Sequence, residues 1–163
     1  MAGPSSPPVH SEGGALIRHL KGLEDDPAYF NRTTERMYVF NQDGSLDYTI
    51  SQHLRGRVRV PGKDMGVLKD KIMLHNHPSG FSFSSNDIKF AQYVDLAEIR
   101  ATGKYGTYIL RRPANGWPVP RQITSAFRRS KALYTAQEDA RVKWTNFAQQ
   151  INADFAYVPR QGY

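Results

Sequence analysis

The 163-residue sequence contains no cysteine. That absence excludes disulfide bonds, a cysteine nucleophile and thiolate ligands for a metal. A metal ion bound by this chain would need histidine, aspartate or glutamate ligands. The sequence also lacks an apolar run near the roughly 20 residues of a transmembrane helix, and its first residues lack the apolar core of a secretory signal. We therefore expect no membrane segment, and either a cytoplasmic protein or a delivered effector without a signal peptide in this segment.

Acidic residues are in the minority, with 15 Asp and Glu against 22 Lys and Arg and a formal net charge of +7. Residues 111–163 carry nine of the basic and three of the acidic residues, so most of the net charge lies there. A basic surface of this kind is compatible with a nucleic acid or an acidic protein as partner. The charge alone does not choose between them.

The order of local patterns predicts three parts of the chain. Residues 1–14 are rich in Pro, Ser and Gly, which is typical of a flexible linker. Residues 15–112 alternate helix and strand patterns and form the expected domain. Within it we expect a helix over 15–24, a hairpin over 35–50 around an Asp-Gly turn, and further strands at Arg57–Val60, Lys71–Leu74 and Thr107–Leu110.

Two helices complete this prediction. Ser84 is a natural N-cap for a helix over 85–97, and Asp87 fits its first turn. Apolar residues recur at helical spacing over 122–152, which predicts one long amphipathic helix. Residues 113–163 are therefore expected to form a basic helical arm.

Two histidines follow the apolar strand Lys71–Leu74, and Pro78 ends that strand because proline cannot donate to a ladder. Residues two apart in a strand share a face, so His75 and His77 can bind one ion. Ten residues after His77, the carboxylate of Asp87 can turn back from its helix toward the strand end. Two imidazoles and one carboxylate leave a fourth tetrahedral position open, which is the pattern of a catalytic rather than a structural zinc site.

A zinc site of this type needs a group that moves protons. Glu35 is the best upstream candidate because it immediately precedes the predicted strand Arg36–Phe40, which can place it beside the metal. Ser84 lies near Asp87 and can donate a hydrogen bond to an oxyanion. The other acidic residues weighed for the role of Glu35 are Glu12, Glu24 and Asp43.

With these residues in place, the chain resembles the JAMM (JAB/MPN-plus) metalloproteases. The resemblance consists of His75-x-His77-Pro78, Ser84-x-x-Asp87 and an upstream Glu35, and it covers about residues 33–112. The HNHPSG string is especially similar to the RadC-like branch and to JAB variants of phage head-morphogenesis proteins and polymorphic toxins. Six residues separate His77 from Ser84, one fewer than is usual, and the phage and toxin variants share this shorter form.

The resemblance implies an α/β fold, namely a cytidine-deaminase-like mixed sheet flanked by helices. It also implies Zn²⁺ bound by His75, His77 and Asp87, with Glu35 as general acid/base and Ser84 as the transition-state donor. Family enzymes cleave peptide or isopeptide bonds, so the expected substrate is a protein or peptide. The toxin variants suggest an acidic inhibitor or immunity protein as a further partner.

Other interpretations of the same residues remain open. His75 and His77 can be polar strand-end residues, Asp87 and Ser84 can serve only the helix start, and Glu35 can face solvent. A metal-dependent nuclease would use the same ion with the basic arm along a phosphate backbone, and a third possibility is a non-catalytic binding module. The arm residues that would contact a nucleic acid are Arg128, Arg129, Lys131, Tyr134, Arg141, Lys143 and Trp144.

Overall fold

Five helices and six strands make up the described part of the chain. The computed structural model describes residues 14–51, 66–78, 80, 82–132 and 138–160. The expected linker over 1–14, apart from Gly14, lies outside these residues, as do the expected strand Arg57–Val60 and Tyr134. The elements in order are α1 Gly14–Glu24, α2 Pro27–Phe30, β1 Arg36–Phe40, β2 Leu46–Ser51, β3 Ile72–Asn76, α3 Ser85–Val94, β4 Glu98–Gly103, β5 Gly106–Arg111, α4 Pro120–Ser130, α5 Glu138–Ile151 and β6 Asp154–Pro159.

The six strands form one mixed sheet in the order β2-β1-β3-β4-β5-β6. Neighbouring strands are antiparallel except β3 and β4, which run parallel and are joined through α3. The expected α/β class and the hairpin over 35–50 are confirmed. The resemblance to a cytidine-deaminase-like fold remains a prediction.

Alternation along the central strand separates two apolar clusters on the two faces of the sheet. Ile72 and Leu74 of β3 pack with Leu20 of α1 and Tyr29 of α2. Met73, on the opposite face, packs in the larger cluster, to which α3, α4 and α5 contribute. The strand is buried along its whole length because both faces are covered.

The C-terminal part of the chain differs from the expected helical arm. The helix predicted over 122–152 is two helices, because α4 ends where Lys131 takes the left-handed conformation with φ 55°. Phe127 of α4 stacks on Phe147 of α5 with ring centroids 4.4 Å apart. The chain then returns as β6, which pairs with β5. Helices α4 and α5 therefore complete the larger apolar cluster, and β6 completes the sheet.

Candidate metal centre

The carboxyl end of β3 carries both histidines on one face of the sheet. His75 lies within β3, and His77 continues the ladder because its N–H donates to the carbonyl of Thr102 on β4 at 2.8 Å. The chain then turns, with the N–H of Gly80 donating to the carbonyl of His77 at 2.9 Å. The backbone of His77 is therefore held by hydrogen bonds at both its N–H and its carbonyl group.

Two glycines let this turn lie against β4. Gly80 has φ +74°, a conformation that side chains disfavour. A Cβ on Gly103 would lie 2.9 Å from the Cα of Gly80 and 3.1 Å from the carbonyl oxygen of His77. The backbone of the turn occupies the space that a side chain on β4 would need, and this fixes where His77 sits.

Asp87 reaches the histidines from the start of α3, where a capping box holds it. The Ser84 hydroxyl accepts from the N–H of Asp87 at 3.2 Å, and Asp87 Oδ2 accepts from the N–H of Ser84 at 2.7 Å. This reciprocal pair satisfies two helix-start donors and restricts the rotation of both side chains. The N-cap expected at Ser84 is confirmed.

The three side chains form a cluster that can hold a metal ion. Nε2 of His75 lies 2.8 Å from Nε2 of His77. Asp87 Oδ1 lies 3.5 Å from Nε2 of His75, and its Oδ2 lies 3.3 Å from Nε2 of His77. Ligand atoms held 2.0–2.1 Å from a tetrahedral ion are about 3.3 Å apart. The donor set therefore fits one small ion with little rearrangement.

Because these side chains are buried, an ionised group in the cluster is unfavourable unless an opposite charge or a hydrogen bond compensates it. The His75 side chain is 3% exposed, that of His77 is 10% and that of Asp87 is 19%. Nδ1 of His75 is buried with no hydrogen-bond partner in the described residues. The Nε2 atoms of His75 and His77 therefore face the carboxylate of Asp87 and lie close to each other.

The histidines also set the charge state of the carboxylate. Burial by itself raises the pKa of Asp87, but the neighbouring His75 and His77 outweigh it and hold that pKa well below its ordinary value. The carboxylate is therefore ionised at neutral pH. An ionised carboxylate beside two imidazole nitrogens is the form that a divalent cation requires.

Glu35 lies at the same edge of the sheet as the cluster but outside it. Met37 of β1 pairs with His75 of β3, and Glu35 immediately precedes β1 at the same end of the sheet. The carboxylate of Glu35 is not among the three grouped donors, and no hydrogen bond or ion pair joins it to them within the described residues. Glu35 is therefore placed at the strand end next to His75 without a hydrogen bond or ion pair to the donor cluster in the described residues.

Asn76 and Tyr29 hold the backbone around Glu35, a feature that motif reasoning missed. Asn76 Oδ1 accepts from the N–H of Arg36 at 2.6 Å, and its Nδ2 donates to the carbonyl of Thr34 at 3.0 Å. The Tyr29 hydroxyl donates to the carbonyl of Arg36 at 2.7 Å. Asn76 lies between the two histidines, so period-two alternation alone could have assigned it a role away from the metal ligands.

An aromatic group supports the cluster from behind. The ring of Phe83 lies 6.5 Å from that of His75 and 5.3 Å from that of Trp144 in α5. Both Phe83 and Trp144 are fully buried. The sequence places Trp144 among the possible nucleic-acid contacts, and its burial is incompatible with that role.

No helix among the described residues is long and apolar enough to cross a membrane. Comparisons with protein-family models, with curated proteins and with solved structures found no match. The described features that bear on function are the donor cluster, the acid Glu35 at the neighbouring strand end and the Ser84 hydroxyl at the helix start.

Proposed function

We propose that this protein is a zinc-dependent hydrolase that cleaves peptide or isopeptide bonds. The observation that carries the proposal is the convergence of Nε2 of His75, Nε2 of His77 and a carboxylate oxygen of Asp87 within 4.8 Å of one another. Zinc is the favoured ion because its catalytic sites combine nitrogen and oxygen ligands and leave one position for water or substrate. When bound, zinc supplies Lewis acidity, which polarises a carbonyl and makes water a nucleophile near neutral pH.

The proposal assigns the proton transfers to Glu35. A carboxylate at this strand end can accept a proton from the attacking water and deliver it to the leaving amine. Asn76 and Tyr29 hold the backbone on both sides of Glu35, which restricts where its side chain can reach. Since apo catalytic groups often approach only in the substrate complex, the separation of Glu35 from the cluster is compatible with this role.

Ser84 is assigned to the oxyanion. Its hydroxyl oxygen accepts from the N–H of Asp87, which leaves the hydroxyl hydrogen available to donate. A donor fixed by a capping box costs little reorganisation when negative charge develops on a carbonyl oxygen. The choice of peptide and isopeptide bonds rests on the resemblance to JAMM metalloproteases, as does the proposed role as a phage-associated or delivered effector.

Metal analysis is the first test. Purified protein dialysed against zinc should bind one ion per chain, and the His77→Ala variant should bind none above background. The control is Asn146→Ala, because Asn146 is exposed on α5 away from the donor cluster. Equal zinc in the wild type and in His77→Ala would overturn the proposed site.

Cleavage is the second test. Zinc-loaded wild type, incubated with a cell extract, should create new protein N-termini that are detected by terminal-amine labelling and mass spectrometry. Glu35→Gln should retain zinc yet create none of them, whereas Asp47→Asn, which changes a partly exposed acid of β2, should match the wild type. The same termini from wild type and Glu35→Gln would exclude the proposed mechanism, and full biological activity of zinc-loaded Glu35→Gln would support a binding module.

A further inference from the structure

We infer that the groove between α4 and α5 binds the phosphate backbone of a nucleic acid. The groove is a cavity of about 340 Å³, and we call it the basic groove. Its polar lining consists of Gln122, Ser125, Arg129, Gln150 and Asn152. This inference concerns a surface other than the donor cluster, and it does not depend on the proposed hydrolase activity.

The lining of the basic groove has the chemistry of a phosphate site. It offers the guanidinium of Arg129, three carboxamides and one hydroxyl, and it contains no carboxylate. A guanidinium matches phosphate oxygens with two parallel hydrogen bonds. Carboxamide and hydroxyl groups are common donors to phosphate and sugar oxygens in protein–nucleic acid complexes.

The helical repeat extends this surface along both helices. Arg129 lies seven residues, or about two turns, after Gln122, so both border the groove from α4. On α5, Lys143 lies seven residues, or about two turns, before Gln150. Arg121 and Arg128 are again seven residues apart and are exposed beside this face. Arg121, Arg128 and Lys143 therefore lie within about two helical turns of residues that line the groove.

The basic residues of α4 and α5 differ from four arginines of the sheet strands and their ends, which are paired with acids. Arg100, Arg111, Arg112 and Arg160 each form an ion pair with a carboxylate. The basic residues of the two helices form no such pair with any described residue. They are Arg121, Arg128, Arg129, Arg141 and Lys143, and Lys131 directly after α4 is likewise unpaired with any described residue. Arg129 lies in the basic groove and Arg128 is its neighbour on α4. Cations without a carboxylate partner attract a polyanion, which releases its counterions on binding.

An acidic protein is the less suitable occupant. Stable protein interfaces have an apolar centre that is enriched in aromatic side chains. The aromatic residues of α4 and α5 are Phe127, Trp144 and Phe147, and all three are buried in the core. Charge and hydrogen-bond donors dominate what remains outside, which favours a phosphate backbone.

Fluorescence anisotropy of a short labelled duplex DNA, and of its single strands, tests the inference on the full chain. The logarithm of the association constant should fall linearly with the logarithm of the salt concentration between about 50 and 200 mM. Arg129→Glu should weaken binding by about tenfold and lower the salt slope by about 1. The matched control is Arg18→Glu, which changes net charge equally but lies exposed on α1 at the other face of the sheet, and it should change binding by less than about twofold.

A second pair of variants keeps the test independent of any effect on folding. Gln150→Glu places a carboxylate in the basic groove, whereas Gln149→Glu places one on the neighbouring exposed position of α5. Only Gln150→Glu should weaken binding strongly. His77→Ala should bind DNA like the wild type, so failure of the metal site leaves this result unchanged. Equal losses from Arg129→Glu and Arg18→Glu, no binding at low salt, or displacement by polyglutamate as readily as by unlabelled DNA would overturn the inference.

Discussion

Asp87 uses its two carboxylate oxygens for different neighbours. Oδ2 accepts from the N–H of Ser84 at 2.7 Å and also faces His77, while Oδ1 faces His75. The capping bond needs only an acceptor oxygen, but a divalent cation needs the negative charge as well. Replacing the carboxylate by an amide of the same shape therefore separates the two requirements.

We expect Asp87→Asn to lose metal and keep its helix. With one of three ligands neutralised, zinc affinity should fall by ~100-fold or more. The amide oxygen can still accept from Ser84, so the helix cap is kept, while the free energy of unfolding without metal should fall because a neutral amide does not replace the charge that His75 and His77 favour. Isothermal titration with zinc and urea unfolding in chelator measure the two effects.

The control is the same substitution at the other end of α3. Asp95 caps that end in the left-handed conformation, with φ 60°, which asparagine also adopts readily. Asp95→Asn should bind zinc like the wild type. Equal zinc affinity in Asp87→Asn and Asp95→Asn would remove Asp87 from the ligand set.

Tyr29 carries a buried hydroxyl group and lies on the face of the sheet opposite to the metal ligands. Burial, together with neighbouring Tyr38 and Glu24, raises the pKa of Tyr29 well above its ordinary value of 10.0. The folded protein therefore keeps the proton that the unfolded chain releases near pH 10. Stability from this group is complete below pH 10 and is lost as pH rises above it toward the raised pKa.

Tyr29→Phe should therefore be more harmful at pH 8 than above pH 10. At pH 8 the variant loses the bond from the hydroxyl to the carbonyl of Arg36, worth about 1 kcal/mol. Above pH 10, Tyr29 ionises in the unfolded wild-type chain, which stabilises the unfolded state. The difference in free energy of unfolding between the wild type and Tyr29→Phe should therefore narrow. Urea titrations across this range measure it, and Tyr93→Phe, at a side chain 73% exposed, should follow the wild type throughout.

Helix α3 is the element that joins secondary structure to site geometry. Its capping box fixes Ser84 and Asp87 together, and Ile88, Ala91 and Val94 anchor it in the larger apolar cluster. A change at its first turn therefore alters both helix stability and the position of a ligand. The effect on helix stability can be measured alone in the metal-free protein, whereas the effect on the ligand position is measured by zinc affinity.

Ser84→Ala should lower the free energy of unfolding of the metal-free protein by about 1 kcal/mol, since the N-cap acceptor for the N–H of Asp87 is lost. Zinc affinity should also fall, because Asp87 loses one of the bonds that orient its backbone. Ser84→Thr keeps the hydroxyl and should restore most of both quantities. Chemical denaturation and zinc titration of the two variants test this, and an unchanged midpoint in Ser84→Ala would show that the cap contributes nothing.

Elements with local signals were predictable, and elements that depend on distant residues were not. The hairpin was indicated by β-formers around an Asp-Gly turn, and α3 by Ser84 and Asp87. Strand β4 was missed because Glu98 and Arg100 interrupt any apolar pattern, although both are buried. Arg100 is balanced by Glu24, which is 76 residues away in sequence. Such a pairing cannot be inferred from local sequence.

The C-terminal helices show the same limit. Lys131 ends α4 without the glycine or asparagine that usually marks a helix end, so periodicity alone predicted one continuous helix. The donor cluster was accessible to sequence because strand alternation and helix capping are local rules. Asn76 and Tyr29 act through backbone groups of another strand, and only the register shows that connection.

Helices α4 and α5 and strand β6 pack in the same core that lies behind the donor cluster. His75 packs near Phe83, Phe83 packs on Trp144, and Trp144 lies 5.5 Å from Phe127 in ring-centroid distance. Strand β6 covers the edge of β5 along its whole length. Removing residues 113–163 would therefore expose apolar surface behind the metal ligands and leave β5 as an unpaired edge.

A chain ending at Arg112 should consequently fail to fold and bind no zinc, as measured by circular dichroism and zinc titration. A milder version of this prediction uses Trp144→Ala, which should lower the free energy of unfolding by about 3–5 kcal/mol because it leaves a large cavity. Val142→Ala, at a position 63% exposed on the same helix, should change it by less than about 0.5 kcal/mol. A folded, zinc-binding chain that ends at Arg112 would show instead that residues 113–163 are an appendage, because the metal ligands would then need none of the packing that α4, α5 and β6 provide.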